Sequence, residues 1–150
     1  MRFAPTPYVA PVDPSGFARA TGRIVAGAVR VPGLRTVLLA PAIARPGYWL
    51  ATLAAFVWGC ILLGHWGRRH GLYSFVNLPS WAFGRGGTTV GAIYLTRDNT
   101  RDAVIEHELV HTRQWKKYGL CFVPLYLAAG SNARGNRFEV EAGLEAGGYL

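Results

Sequence analysis

Apolar and polar positions repeat with different periods in different parts of the chain. At 3.6 residues per turn, residues 17–31 place Phe17, Ile24, Ala28 and Val31 on one side of a helix and Arg19, Arg23 and Arg30 on the opposite side. That pattern predicts a basic amphipathic helix. It suits an anionic membrane surface, and it equally suits a helix packed on its own domain with a solvated arginine face. Asp13 and Pro14 supply a cap and a first helical position, behind a proline-rich tail over 1–14. From Pro46 through Gly67 there is no Asp, Glu, Lys or Arg, and Trp49–Leu63 is almost continuously apolar. A helix of about 18–20 residues spans roughly 27–30 Å, enough for a hydrocarbon core. The same run also fits a buried or interfacial helix hairpin. Arg30, Arg35 and Arg45 flank one end and Arg68, Arg69 and Arg85 the other, so charge assigns no orientation.

Beyond residue 67 the period shortens. Leu72–Val76 and Thr88–Thr96 read as strands, separated by turn chemistry at Pro79, Gly84, Gly86 and Gly87. Asn99 or Thr100 caps a helix running to about Tyr118, with Asp102 in its first turn, Lys116 and Lys117 near its negative end, and Gly119 as its stop. Leu120–Ala129 is apolar but too short to cross a bilayer, and Asn136 opens a last helix. The expected architecture is α+β. A tail (1–14) and an N-terminal region of amphipathic and apolar, membrane-associated helices (15–67) precede a small metal-binding domain (68–150).

Composition narrows the class. One hundred and fifty residues make one typical domain, and 51% hydrophobic against 16% charged excludes wholesale disorder. The net charge is +8, almost all of it arginine, yet the arginines are dispersed and no nucleic-acid-binding motif accompanies them. Nucleic acid is therefore not the expected partner. Cys60 and Cys121 both sit in apolar runs, which excludes a four-thiolate iron–sulfur cluster within this chain and fits a reducing compartment.

The chemistry concentrates at His107-Glu108-Leu109-Val110-His111. Four residues apart on a helix, the two imidazoles lie on one face and can share one tetrahedral metal ion, while Glu108 is placed to take a proton from water at an open coordination position. With four histidines in the chain, chance produces this pattern roughly 0.004 times. A third ligand is needed. Glu139 and Glu141 point in different directions on the last helix, and Glu139 shares its side with the small Ala142, Gly143 and Ala146, which let another helix approach. Glu139 is thus the third candidate, although Asn136-x-x-Glu139 also reads as a helix cap. Glu141 and Glu145 read as solvated, and His65 and His70 as residues at the end of the apolar run.

His107-Glu108-x-x-His111 followed by Glu139-x-x-Ala142 resembles the gluzincin metallopeptidases, in particular the Ste24-like and HtpX-like branch. In that branch the second motif ends in aspartate, where this chain has Gly143, so the partner that orients His107 is left open, with Asp102 one candidate. The resemblance implies a zincin-like minidomain with one Zn²⁺ on His107, His111 and Glu139, and Glu108 as general base. It also implies that peptide or protein substrates are laid along the Thr88–Thr96 edge strand. Residues 85–96 and 136–142 also resemble a group of small bacterial proteins, some of them labelled iron–sulfur oxidoreductases.

Two functions follow as expectations. One is a membrane-associated, zinc-dependent hydrolase, a peptidase, held at the cell membrane with its domain on the cytoplasmic side and touching anionic lipid through Arg19, Arg23 and Arg30. The other is a non-catalytic zinc-binding subunit of a membrane complex. Tyr94, Tyr118 and Tyr126 are available as oxyanion stabilisers, and Arg97, Arg101 and Arg113 surround the site helix.

Overall fold

A computed structural model describes residues 16–83 and 86–150. The tail, the Asp13–Pro14 cap and Arg85 lie outside the described residues, as do the side chains of Phe17 and Arg19. The chain runs through three helices, α1 (Gly16–Arg30), α2 (Pro32–Leu38) and α3 (Pro41–Ile61). Four strands follow, β1 (His65–Arg69), β2 (Leu72–Val76), β3 (Gly87–Val90) and β4 (Ile93–Thr96). It ends in α4 (Asp102–Tyr118), a 3-10 turn at Gly119–Cys121, α5 (Phe122–Ala128) and α6 (Arg137–Ala142).

The strands form one small mixed sheet in the order β1-β2-β4-β3. β1 and β2 are an antiparallel hairpin closed by His70 and Gly71, both at positive φ, the backbone that a two-residue turn between twisted strands requires. β2 runs parallel to β4, and β3 returns antiparallel along β4 as the far edge. The fold is α+β, as the two periods in the sequence predict.

The expected single strand Thr88–Thr96 is two strands. It folds back at Gly91, whose φ is +62° and where a Cβ would lie 2.6 Å from the Thr52 amide nitrogen. Thr52 Oγ1 accepts from the Ala92 amide at 3.0 Å, so α3 itself fastens the turn. β-branched residues on both sides mask the reversal in a reading by composition. Of these two strands only β3 lies at a sheet edge, opposite the edge formed by β1.

α3 covers one face of the sheet, packing Ala55, together with Leu62 just past its end, on Phe75, Ile93 and Leu95. α4 covers the other, packing Val104 and Ile105 on Leu72 and Tyr94. A third cluster joins the helices around Tyr48, Trp115, Phe122, Leu125 and Phe138. α3 starts at Pro41, earlier than its apolar run, and turns Ala44, Gly47, Tyr48, Ala51, Ala55 and Gly59 inward at helical spacing. Among the described residues no single helix is long and apolar enough to cross a membrane. Only α2 and α3 taken together have the length and composition, and they are bent by 48°.

α1 is amphipathic, but its apolar stripe is not the side that packs. Val25, Ala26 and Val29 pack against the helical cluster, while Ile24 is 72% exposed and Val31 49%. α1 meets the domain chiefly through α5.

Candidate metal centre

The first half of α4 carries the motif on its inner side, because Val104, Ile105, His107, Glu108 and His111 all fall toward the sheet and α6. α6 is positioned by its cap: Asn136 Oδ1 accepts from the Phe138 amide at 3.0 Å, while its Nδ2 donates to the carbonyls of Tyr126 and Gly130. With Asn136 capping alone, the Glu139 side chain is free to turn inward. It meets both histidines: Oε2 lies 3.1 Å from His107 Nε2 and Oε1 lies 3.5 Å from His111 Nε2. The two Nε2 atoms are 3.1 Å apart. Metal-binding atoms of His107, His111 and Glu139 all fall within 4.8 Å of one another, and each residue is buried. This group can hold a metal ion.

The ring nitrogens show how well it fits one. His107 Nδ1 lies 3.0 Å from the Gly143 carbonyl oxygen, which can only accept, so Nδ1 carries the proton. Gln114 Nε2 donates to the Phe138 carbonyl at 3.1 Å and to Glu141 at 3.0 Å. This fixes the Gln114 amide so that Oε1 faces His111 Nδ1 at 2.8 Å, and that nitrogen too carries its proton. In the neutral rings both Nε2 lone pairs then converge on each other and on a carboxylate. Glu139 Oε2 makes no directed hydrogen bond although it is buried. With both rings neutral, three Lewis bases face one point, an arrangement that suits a cation.

Protonation equilibria report the same field. Burial opposes the charged form of His111, yet the Glu139 and Glu108 carboxylates outweigh it and raise its pKa. Burial likewise opposes ionisation of Glu139, and the facing histidines with the Tyr126 hydroxyl overcome it, holding the carboxyl below its ordinary range. Glu108 goes the other way: burial pushes it up, against the histidines and the Thr89 hydroxyl. Thr89 Oγ1 donates to Glu108 Oε2 at 2.7 Å, and the Trp115 indole donates to the Thr89 carbonyl at 2.9 Å, locking β3 to α4.

Glu108, His111 and Glu139 open onto one concavity of about 230 Å³, walled by Phe122, Val123 and Leu127 on α5 and by β3. Of the three tyrosines marked in the sequence, Tyr126 reaches the cluster and donates to Glu139 Oε1, whereas Tyr94 donates to the Asn99 carbonyl and Tyr118 stacks on Phe122. Asp102 is on the surface with Arg69 at 2.9 Å and His70 at 3.1 Å, away from His107. His65 pairs with Asn77. Glu141 is exposed but accepts from Gln114, and Glu145 is solvated.

Four contributors escape the sequence. Gln114 is one turn beyond His111, a spacing that could have revealed it. Thr89 and the Gly143 carbonyl arrive through tertiary packing and leave no local signal. Gly147 belongs with them, since a Cβ there would sit 2.7 Å from His107 Cε1, and only glycine lets the C-terminal segment close over the ring.

No family model, curated protein or solved structure matches the chain.

Proposed function

We propose that the protein is a membrane-associated, zinc-dependent hydrolase acting on peptides, of gluzincin kind, with His107, His111 and Glu139 as ligands and Glu108 as general base. The observation that carries this reading is the convergence of two Nε2 lone pairs and the Glu139 carboxylate beside a second, separately held carboxylate in one concavity. Two imidazoles and a carboxylate suit zinc. Bound there, zinc would supply Lewis-acid polarisation of the scissile carbonyl and an acidified water.

The chain's own groups do the rest. The Gly143 carbonyl and Gln114 hold the imidazoles with Nε2 inward. Thr89 aims the Glu108 carboxylate, whose raised pKa suits it to accept a proton from the attacking water and to return it to the leaving amine as the C–N bond breaks. Phe122, Val123 and Leu127 give the concavity an apolar wall. A peptide adds along β3, using groups other than the Thr89 carbonyl, which the Trp115 indole occupies. The edge strand beside the motif helix makes the arrangement zincin-like.

The membrane part of the proposal draws on the outward face of α3, where Trp49, Leu50, Leu53, Val57 and Ile61 are all exposed. It places the protein at the cell membrane, with the metal domain on the cytoplasmic side.

Glu108→Gln is the decisive variant: zinc content stays at one per chain while peptide hydrolysis falls at least a thousandfold. Undiminished hydrolysis in that variant removes the assignment. A second reading is favoured by the low exposure of the ligands, 2% for His107 and Glu139, 7% for His111. It is a zinc site that staples the domain, as part of an accessory subunit of a membrane complex. Zinc-dependent melting with no hydrolysis of a broad peptide library selects that reading.

A further inference from the structure

A second concavity, of about 480 Å³, lies between α1, α2 and α5, away from the metal cluster. Arg30, Arg35 and Arg137 all line it, together with apolar walls that include Val29, Leu125 and Ala129. No carboxylate lines it, and among the described residues none of the three guanidinium groups forms an ion pair.

Local structure explains two of these charges and not the third. Arg30 and Arg35 stand in the last turns of their helices, where a cation offsets the carbonyl ends. Arg137 stands at the first position of α6, the end where a cation is disfavoured. Its guanidinium lies 4.5 Å over the Phe138 ring, which steadies the plane and leaves the N–H edges available. Three like charges around one hollow repel one another unless something negative sits among them.

We propose that this concavity binds a phosphate ester. A phosphate presents three or more oxygens to three guanidinium forks, whereas a carboxylate presents two. The volume exceeds what an inorganic ion needs, and the apolar walls accommodate the remainder of an amphiphilic molecule. The headgroup of an anionic phospholipid and a soluble organic phosphate share this chemistry.

The test uses the full chain with its metal. Inorganic phosphate, compared with chloride at equal ionic strength, raises the melting temperature by about 3 °C. Vesicles of phosphatidylcholine containing phosphatidic acid co-sediment the protein more strongly than phosphatidylcholine alone. The variant Arg30→Gln/Arg35→Gln/Arg137→Gln loses the phosphate shift and binds the anionic vesicles at least tenfold more weakly. Arg137→Gln alone loses most of the shift. The charge-matched variant Arg68→Gln/Arg97→Gln/Arg113→Gln keeps both responses, because none of those residues lines the hollow. A response to both probes, or to vesicles only, assigns the lipid headgroup; a response to phosphate only assigns a soluble ester. Equal losses in the two triple variants overturn the site in favour of diffuse charge, and so does a wild-type protein that answers neither probe.

Discussion

On the α4 side of the sheet the interior holds His107, Glu108, His111, Gln114 and Glu139, all buried. On the α3 side the exterior holds Trp49 at 62% exposed, Leu53 at 60% and Ile61 at 63%. Each side departs from ordinary globular packing in the opposite sense, and buried polar groups and exposed apolar patches are the departures that carry information. A sheet only four strands wide thus separates two environments. One suits an ion, the other suits a lipid or apolar partner. Neither is explained by stability, since burying charge costs free energy and exposing tryptophan gains none.

Metal removal gives the largest expected effect and tests the buried side. If zinc at a thousand times its Kd contributes about 4 kcal/mol, chelation lowers the melting temperature by roughly 10 °C. Glu139→Gln reproduces that loss, while changes on the outer face of α3 do not. A melting curve indifferent to chelator means that the polar cluster satisfies itself without an ion, and the contrast between the two sides collapses.

The seam between the sides comes next. Gly91 lets the β3–β4 turn lie against Thr52, so Gly91→Val combines a β-branched residue at positive φ with a clash into α3. A stability loss of about 3 kcal/mol by urea denaturation is expected, with zinc content kept in the folded fraction. A neutral result means that α3 is not fastened to the sheet at this turn.

Gln114 sharpens the buried side further. Gln114→Ala removes the acceptor at His111 Nδ1, and zinc affinity weakens by about 10–100-fold by competition titration. Gln114→Glu keeps an acceptor for Nδ1 but loses the two donated bonds and faces the Glu141 carboxylate, so it recovers only part of the affinity. Equal affinity in all three proteins removes the orienting role.

These elements differ in how openly the sequence announces them. The α4 motif is local: two imidazoles one turn apart are legible from spacing alone, and so are β2 and the Asn136 cap. Glu139 is legible from its place after the Asn136 cap, but the small-residue argument for it holds only at Ala142, because Gly143 and Ala146 lie beyond the end of α6. β1 is not, because His65-Trp66-Gly67-Arg68-Arg69 has no apolar alternation and becomes a strand only by pairing with β2. The side of α1 that packs is equally silent, since Val25 and Val29 are the partly buried residues while Ile24, the more hydrophobic signal, is exposed. The groups that orient the histidines come from 3 and 36 positions away, and only the nearer one has a periodicity to betray it.

The smallest expected effect on stability tests the exposed side. Leu50, Leu53, Val57 and Ile61 recur at helical spacing on α3 and are between 48% and 63% exposed. Replacing Val57 and Ile61 by Asn removes apolar surface that the folded domain barely uses, so the melting temperature changes by no more than ~0.5 kcal/mol would produce. Zinc content and the response to chelator stay as in the wild type. Vesicle co-sedimentation weakens about tenfold, because each buried aliphatic side chain contributes on the order of 1 kcal/mol or more to transfer out of water. The pair of readouts separates the possibilities. A large fall in stability means that this face packs within the protein, and unchanged vesicle binding means that lipid is not what covers it. Weakened binding at constant stability leaves α3 performing two tasks at once: its small residues hold the sheet, and its large ones hold the membrane.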